Sequence, residues 1–473
     1  MKKSLINTCL FAGLALMMAL SSCSKWLDVQ PEDKFTEKQI FSSLEGISDA
    51  INGVYLDMGK TKLYGATLTS AHLEIFAQRY NVPSVHNYTR YQTYNYEDKV
   101  VKASLDLIWT DMYRNVLNVN KFIKNLDAYP GVLDAKADSI FRGEAYGLRA
   151  FLQFDLLRMY GPRYSSVDSL RTSIPYYTDA GTNVNEISPA NIVMQKIVLD
   201  LKKAEALLAA DPVRKQGVLK VAEQPYLQFR NYRMNYFALK ALQARVYLYR
   251  GDQVSAAAAA QVVINNSEKF PWIENKNIMS DKQNPDRVFS TEILFGLQSI
   301  DMYSNYRTFF SADQQTLQIL APGENNLKTL FENNENDYRY NPNWMMTGIG
   351  GKSFKTFFKY ADIDNKALVY RMTMPLIRLS EVYYIAAEAG KNVEYLNKVR
   401  NQRGLLNLLP TANFDTELLK EYQKEFFGEG QLWFYYKRKN ATSIPNPLVA
   451  SGNLTMNLSN YVFPLPLSEL NPR

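Results

Sequence analysis

Met234-Asn235-Tyr236-Phe237-Ala238-Leu239-Lys240-Ala241-Leu242-Gln243-Ala244-Arg245-Val246-Tyr247-Leu248-Tyr249-Arg250-Gly251-Asp252-Gln253-Val254-Ser255-Ala256-Ala257-Ala258-Ala259-Ala260-Gln261-Val262-Val263-Ile264-Asn265 is the stretch that decides the fold. Phe237, Ala241, Leu242, Ala244 and Leu248, then Ala256, Ala259, Ala260 and Val263, recur at three- and four-residue spacing, so each half predicts an amphipathic helix. Gly251 has access to the left-handed conformation that ends a helix, and Arg250-Gly251-Asp252 is the whole connection. So short a turn makes an antiparallel hairpin. The alanines of the second helix let it approach the aromatic face of the first, as in tetratricopeptide units of roughly 34 residues.

The same device recurs along the chain. Periodic apolar positions predict helices over 40–57, 103–126, 138–160 and 189–208, the last with Ser188 as N-cap and Pro189 at its first position. After the hairpin come helices over 375–390, 393–403 and 416–436, then a proline-punctuated wrap over 445–473. The eight helices up to residue 403, grouped in pairs, give a mainly α fold: four tetratricopeptide-like helix pairs at unequal intervals, followed by the further helix over 416–436, with scaffold mainly in 40–58, 103–265 and 375–436. Two insertions, mainly 60–99 and 269–366, have no sustained period and are rich in Tyr, Asn and Arg, with short strand-like runs such as Glu292–Leu297 in the second. Residues 23–473 are expected to form one domain.

The first residues set the compartment. Lys2 and Lys3 precede an uncharged run from Leu10 to Leu20, and Leu20-Ser21-Ser22-Cys23 closes it. This predicts a signal peptide over 1–22, with cleavage before Cys23 and lipid attached to it as in a bacterial lipobox. Cys9 leaves with the signal, so no cysteine remains for disulfides, thiolate metal sites or nucleophilic catalysis. The formal charge of +7 loses two units with Lys2 and Lys3, and so small an excess gives no sign of nucleic-acid binding.

Enzymatic motifs are missing. The two histidines, His72 and His86, stand in no metal-binding spacing, so neither a metal nor another cofactor is expected. Gly348-Ile349-Gly350-Gly351-Lys352-Ser353 resembles the end of a phosphate loop, but Met346 stands where the motif needs its first glycine; the run reads as a turn. Arg250-Gly251-Asp252 reads as the helical turn already described. No spacing singles out a pair of carboxylates for glycoside hydrolysis.

Binding has better material. The chain has 32 tyrosines, and Arg79 to Tyr91 alternates rings with amide and guanidinium donors. A ring offers a flat face to the C–H side of a sugar while Asn and Arg bond its hydroxyl rim, and the same groups suit an extended peptide. Tyr303, Asn305, Tyr306 and Arg307 form a second such cluster, and Trp344 with Asn341 and Asn343 a third. The candidate ligand-binding residues are therefore Tyr80, Asn81, Tyr88, Arg90, Tyr303, Tyr306 and Trp344.

Motif order adds a resemblance. Cys23 followed by Trp26-Leu27-Asp28-Val29-Gln30-Pro31, Arg149-Ala150 through Tyr160-Gly161-Pro162, and Ala244-Arg245-Val246-Tyr247-Leu248 come in sequence. Arg378-Leu379-Ser380-Glu381-Val382-Tyr383, Ala387-Glu388-Ala389, Leu396 to Leu405, Glu425 to Trp433 and Phe463-Pro464-Leu465-Pro466 follow. In this order the chain resembles the SusD/RagB family of Bacteroidetes outer-membrane lipoproteins, although Ser24-Lys25-Trp26 lacks the acidic run often associated with surface export. The resemblance implies a non-enzymatic lipoprotein on the outer membrane, facing the cell exterior. It implies a SusC-like TonB-dependent transporter as partner and capture of oligosaccharide or polysaccharide. A peptide ligand, as in RagB-like members, or a protein–protein scaffold without a small ligand are the alternatives.

Overall fold

Asn235 explains why the deciding hairpin starts where it does. Its Oδ1 accepts from the main-chain N–H groups of Phe237 and Ala238 at 2.9 and 3.0 Å, which caps the helix. Its Nδ2 donates to the carbonyl of Leu294 at 2.7 Å, which ties the hairpin to the second insertion. Gly251 takes φ +85°, and Asp252 caps the next helix through Ser255 N. This computed structural model describes residues 36–181 and 183–471, so the expected signal peptide and Cys23 lie outside the described residues.

The principal helices are α1 (Leu44–Met58), α2 (Lys99–Ala128), α3 (Ala135–Tyr160), α4 (Ala190–Leu207), α5 (Tyr236–Tyr249), α6 (Gln253–Ile264), α7 (Met302–Phe309), α8 (Leu379–Gly390), α9 (Val393–Gln402), α10 (Phe414–Glu425) and α11 (Gln431–Lys439). Helix α1 packs on α2, α3 on α4, α5 on α6 and α8 on α9, while α2–α3 and α6–α8 contacts join neighbouring pairs. The mainly helical, tetratricopeptide-like scaffold is thus as the periodicity predicts. Helix α3 is its centre: every residue from Gly143 to Tyr160 is buried, polar ones included.

Those polar residues are paired. Arg149 holds Asp200 of α4 through two bonds of 2.7 and 2.6 Å. Arg245 of α5 holds Glu381 of α8 through two bonds of 2.6 Å. Arg149 therefore ties the two helices of one pair and Arg245 ties one pair to the next, with geometry that a planar fork matches and a lysine would not.

Four antiparallel two-stranded ladders decorate the scaffold: β1 (Thr172–Pro175) with β2 (Ile187–Pro189), β3 (Ile293–Gln298) with β6 (Thr373–Arg378), β4 (Trp344–Met345) with β5 (Thr356–Phe357), and β7 (Ser443–Pro445) with β8 (Asn453–Thr455). The expected helix over 375–390 is present from Leu379 to Gly390, and strand β6 takes its first four positions. Residues Thr373 to Arg378 are all buried and pair with β3, in the register Gly296 opposite Pro375 and Leu297 opposite Met374. An unbroken apolar run suits a strand buried on both faces as well as it suits a helix. Pro189 acts as the N-cap residue of α4 without a side-chain bond, and Ser188 lies in β2, so the expected serine cap is not formed.

The expected helix over 416–436 is two helices, broken where Gly428 and Gly430 take φ +78° and +71°. A Cβ on Gly430 would lie 2.5 Å from the Leu68 carbonyl oxygen. The break thereby lets the chain touch the first insertion, and Gly430 N–H donates to the buried carboxylate of Glu74 at 2.8 Å.

Candidate functional site

The two insertions meet edge to edge. Asn81 N–H donates to the Ala321 carbonyl at 2.8 Å, Asn87 N–H to Gln318 Oε1 at 3.3 Å, and Gln318 Nε2 to the Val85 carbonyl at 3.4 Å. His86 completes the seam: Tyr88 N–H donates to its Nδ1 at 3.0 Å, so Nε2 carries the proton that goes to the Gln318 carbonyl at 3.0 Å. Burial holds His86 below the usual histidine range and His72 down to about 4, so both rings are neutral at pH 7.

Both histidines belong to a ring cluster. Tyr88 lies 5.6 Å from His72, 5.6 Å from His86, 5.6 Å from Tyr91 and 6.2 Å from Phe309 of α7. Beside it opens a cleft of about 360 Å³ lined by Asn87, Tyr88, Thr308, Phe309 and the amides Gln314, Gln315 and Gln318. An aromatic floor with an amide rim is the chemistry of sugar recognition: rings pack on C–H groups while carboxamides both donate to and accept from hydroxyls.

The glycine run has a part here. Gly350 takes φ +66°, and a Cβ on it would lie 1.9 Å from the Ala312 carbonyl oxygen, so only glycine allows this approach. Lys352 then donates to the Gln314 carbonyl at 2.6 Å. The turn is docked behind the cleft wall, and the phosphate-loop likeness has no structural counterpart.

The expected ligand residues divide. Asn81 is exposed, and Tyr88 and Arg90 are half-buried at the seam. Arg90 bonds Asp98 at 3.2 Å, and Asp98 caps α2, so the guanidinium has a structural partner. Tyr303 is 44% exposed on the first turn of α7 and stacks on Tyr306 at 6.4 Å and 17°. Tyr306 is buried and backs that ring.

Tyr80 and Trp344 correct the expectation. Tyr80 is fully buried against Phe310 and Phe427, and its hydroxyl donates to the Ser70 carbonyl at 2.7 Å. Trp344 packs between Phe357 and Phe427 at 4.8 and 4.9 Å. Neither ring has a face left for a ligand. Phe309 and the glutamines, not singled out from sequence, line the cleft with Tyr88; the run Gln314-Gln315-Thr316-Leu317-Gln318 in an aperiodic insertion is the signal that points to them.

Among the described residues no group of three or more His, Cys, Asp or Glu side chains could hold a metal ion, and no helix is long and apolar enough to cross a membrane.

Two family models divide the chain. One, SusD-like with the description "starch-binding associating with outer membrane", matches residues 25–248. The other, the SusD family (SusD_RagB), matches residues 245–471. The chain belongs to the SusD/RagB family. SusD-like protein P2 of Formosa agariphila is 24% identical, over 97% of this chain and 96% of the relative. SusD-like protein P38 of the same organism is 21% identical over 95% and 94%. Among solved structures, a SusD superfamily protein from Bacteroides thetaiotaomicron superposes with a TM-score of 0.67 at 20% identity, covering 91% of this chain and 100% of that one. A laminarin-binding SusD-like protein superposes with a TM-score of 0.65 at 17% identity, covering 91% and 98%. These likenesses establish a common fold.

Proposed function

We propose that residues 23–473 act as one lipid-anchored capture protein on the outer membrane, which binds oligosaccharide or polysaccharide and delivers it to a SusC-like TonB-dependent transporter without catalysing a reaction. The observation that carries this reading is the cleft where Tyr88 and Phe309 lie beside Gln314, Gln315 and Gln318. Tyr88 is its proposed contact residue, and Asn81 and Tyr303, which do not line the cleft, are proposed contacts for a saccharide that extends beyond it, with Arg90 at the margin and Tyr306 as support. A laminarin-binding member with the same fold supports a glucan as first probe.

Calorimetric titration against laminari-, cello-, xylo-, manno- and malto-oligosaccharides and a peptide panel tests the reading. Binding of at least one saccharide, weakened by Tyr88→Ala, is the expected result. Binding of peptides alone would replace the ligand class. Silence across both panels would favour a protein-contact scaffold, and shortening of a saccharide in the same tubes would contradict a binding-only role.

A further inference from the structure

A second cleft opens between three connections: 218–232 leading into α5, 269–291 between α6 and β3, and 365–370 before β6. It holds about 680 Å³ and shares no lining residue with the cleft at Tyr88. That volume lies inside the range of about 300–1,000 Å³ usual for small-ligand sites.

Two turns of the same form build its wall. Phe229 and Phe289 both take the left-handed conformation, at φ 46° and 55°, and each leads into a single 3-10 turn, Arg230–Tyr232 and Ser290–Glu292. A bulky side chain there is strained by about 1–3 kcal/mol and persists only where its surroundings hold it. They do. Arg230 is fully buried between Glu144 and Asp211, and Glu292 is fully buried against Arg403. Strain so anchored places Asn231 and Tyr232 from one turn, and Ser290 from the other, on the same cavity.

The polar groups there are built for a partner. Asn231 is buried and its Oδ1 has no hydrogen-bond partner. Asp286 is buried and accepts from Ser290 N–H at 3.1 Å, from Ser290 Oγ at 2.7 Å and from the main chain of Val288, which leaves one lone-pair position of the carboxyl over. The rings are fixed as well. Tyr370 donates to the Asn284 carbonyl at 2.7 Å, and the Tyr232 hydroxyl shares a bond of 2.9 Å with Thr373 Oγ1. Asp281 and Asp286 share the space with Lys220 and with Lys269, whose Nζ is already held by Glu268 at 2.5 Å, so among the described residues no cluster of free cations awaits an anion there, which favours an uncharged ligand over an anionic one.

We propose that this cleft is a second saccharide site, taking a short neutral oligosaccharide with its C–H faces against Tyr232 and Tyr370 and its hydroxyls on Asn231 and Asp286. It adds to the capture role proposed above and does not depend on the cleft at Tyr88.

The test titrates the full chain carrying Tyr88→Ala and Tyr303→Ala with the same saccharides and peptides. Residual saccharide binding is expected, weakened about tenfold or more by Ala367→Trp, which fills the cleft from an exposed wall position, and by Tyr370→Ala. Ala367→Trp removes no packing group, so its folding serves as control for Tyr370→Ala. Residual binding indifferent to both substitutions overturns the inference, as does cleft-dependent binding of peptides alone. Complete loss of binding in the Tyr88→Ala, Tyr303→Ala background, with the wild type active, overturns the second site and leaves the first standing. A wild type that binds no saccharide overturns both.

Discussion

Arg403 and Glu292 face each other with no solvent exposure, Nη1 to Oε1 at 2.9 Å and Nη2 to Oε2 at 2.6 Å. The pair joins the end of α9 to the turn before β3, so it bolts the last helix pair to the second insertion. Arg403 also reaches Glu425 of α10 at 2.7 Å, and Glu425 in turn meets Arg378 and Arg339. Such a lattice positions the insertion that carries α7 and the cleft.

Arg403→Met is therefore expected to leave Glu292 buried without its cation and to lower stability by about 3–5 kcal/mol. Urea unfolding of wild type and variant measures this. A loss below about 1 kcal/mol would mean that neighbouring arginines take over the charge.

Tyr80 and Tyr88 should separate stability from recognition. Tyr80→Ala empties a core position and is expected to destabilise by about 3–5 kcal/mol, with saccharide affinity of the folded fraction unchanged. Tyr88→Ala is expected to weaken binding about tenfold with a smaller change in the unfolding midpoint. Calorimetry beside denaturant titration checks both.

Lys437 is buried at the end of α3, donating to the carbonyls of Arg158 at 2.6 Å and Gly161 at 2.7 Å. Burial draws its ammonium well below the usual lysine range, yet the carbonyl dipoles at the helix C-terminus favour a donor there. Lys437→Met should strand those carbonyls and lower stability by about 1–3 kcal/mol. Thermal unfolding reads the effect.

His72 gives a pH dependence. Its folded value of about 4 lies below the ordinary 6.5, so the unfolded chain binds the proton first as pH falls. Stability contributed by the neutral ring is complete above 6.5 and is lost as pH falls toward 4. His72→Phe should make the fall shallower in that window. Unfolding midpoints measured across it would contradict this if both proteins lost stability in parallel.

The hairpin from Met234 to Asn265 was legible because its periodicity, its Gly251 turn and both caps are local. Strand β6 was not, because Met374 to Ile377 is apolar throughout and only its pairing with β3 separates strand from helix. The break at Gly428 and Gly430 depends on contact with Leu68, far away in the chain. The candidate site divides in the same way. Composition located the two insertions, but nothing local distinguishes Tyr80, whose hydroxyl is satisfied by Ser70, from Tyr88 eight residues later at the seam.

The seam between His86 and Gln318 spans 232 residues of sequence. Contacts so distant form late, after the intervening helix pairs have closed the loop between them. During synthesis the ring cluster around Tyr88 must therefore wait, half-walled, until the strip from Gln314 to Ala321 emerges. The cleft has no early fragment: a chain that stops short of that strip can own α1 to α7 and still lack the cleft.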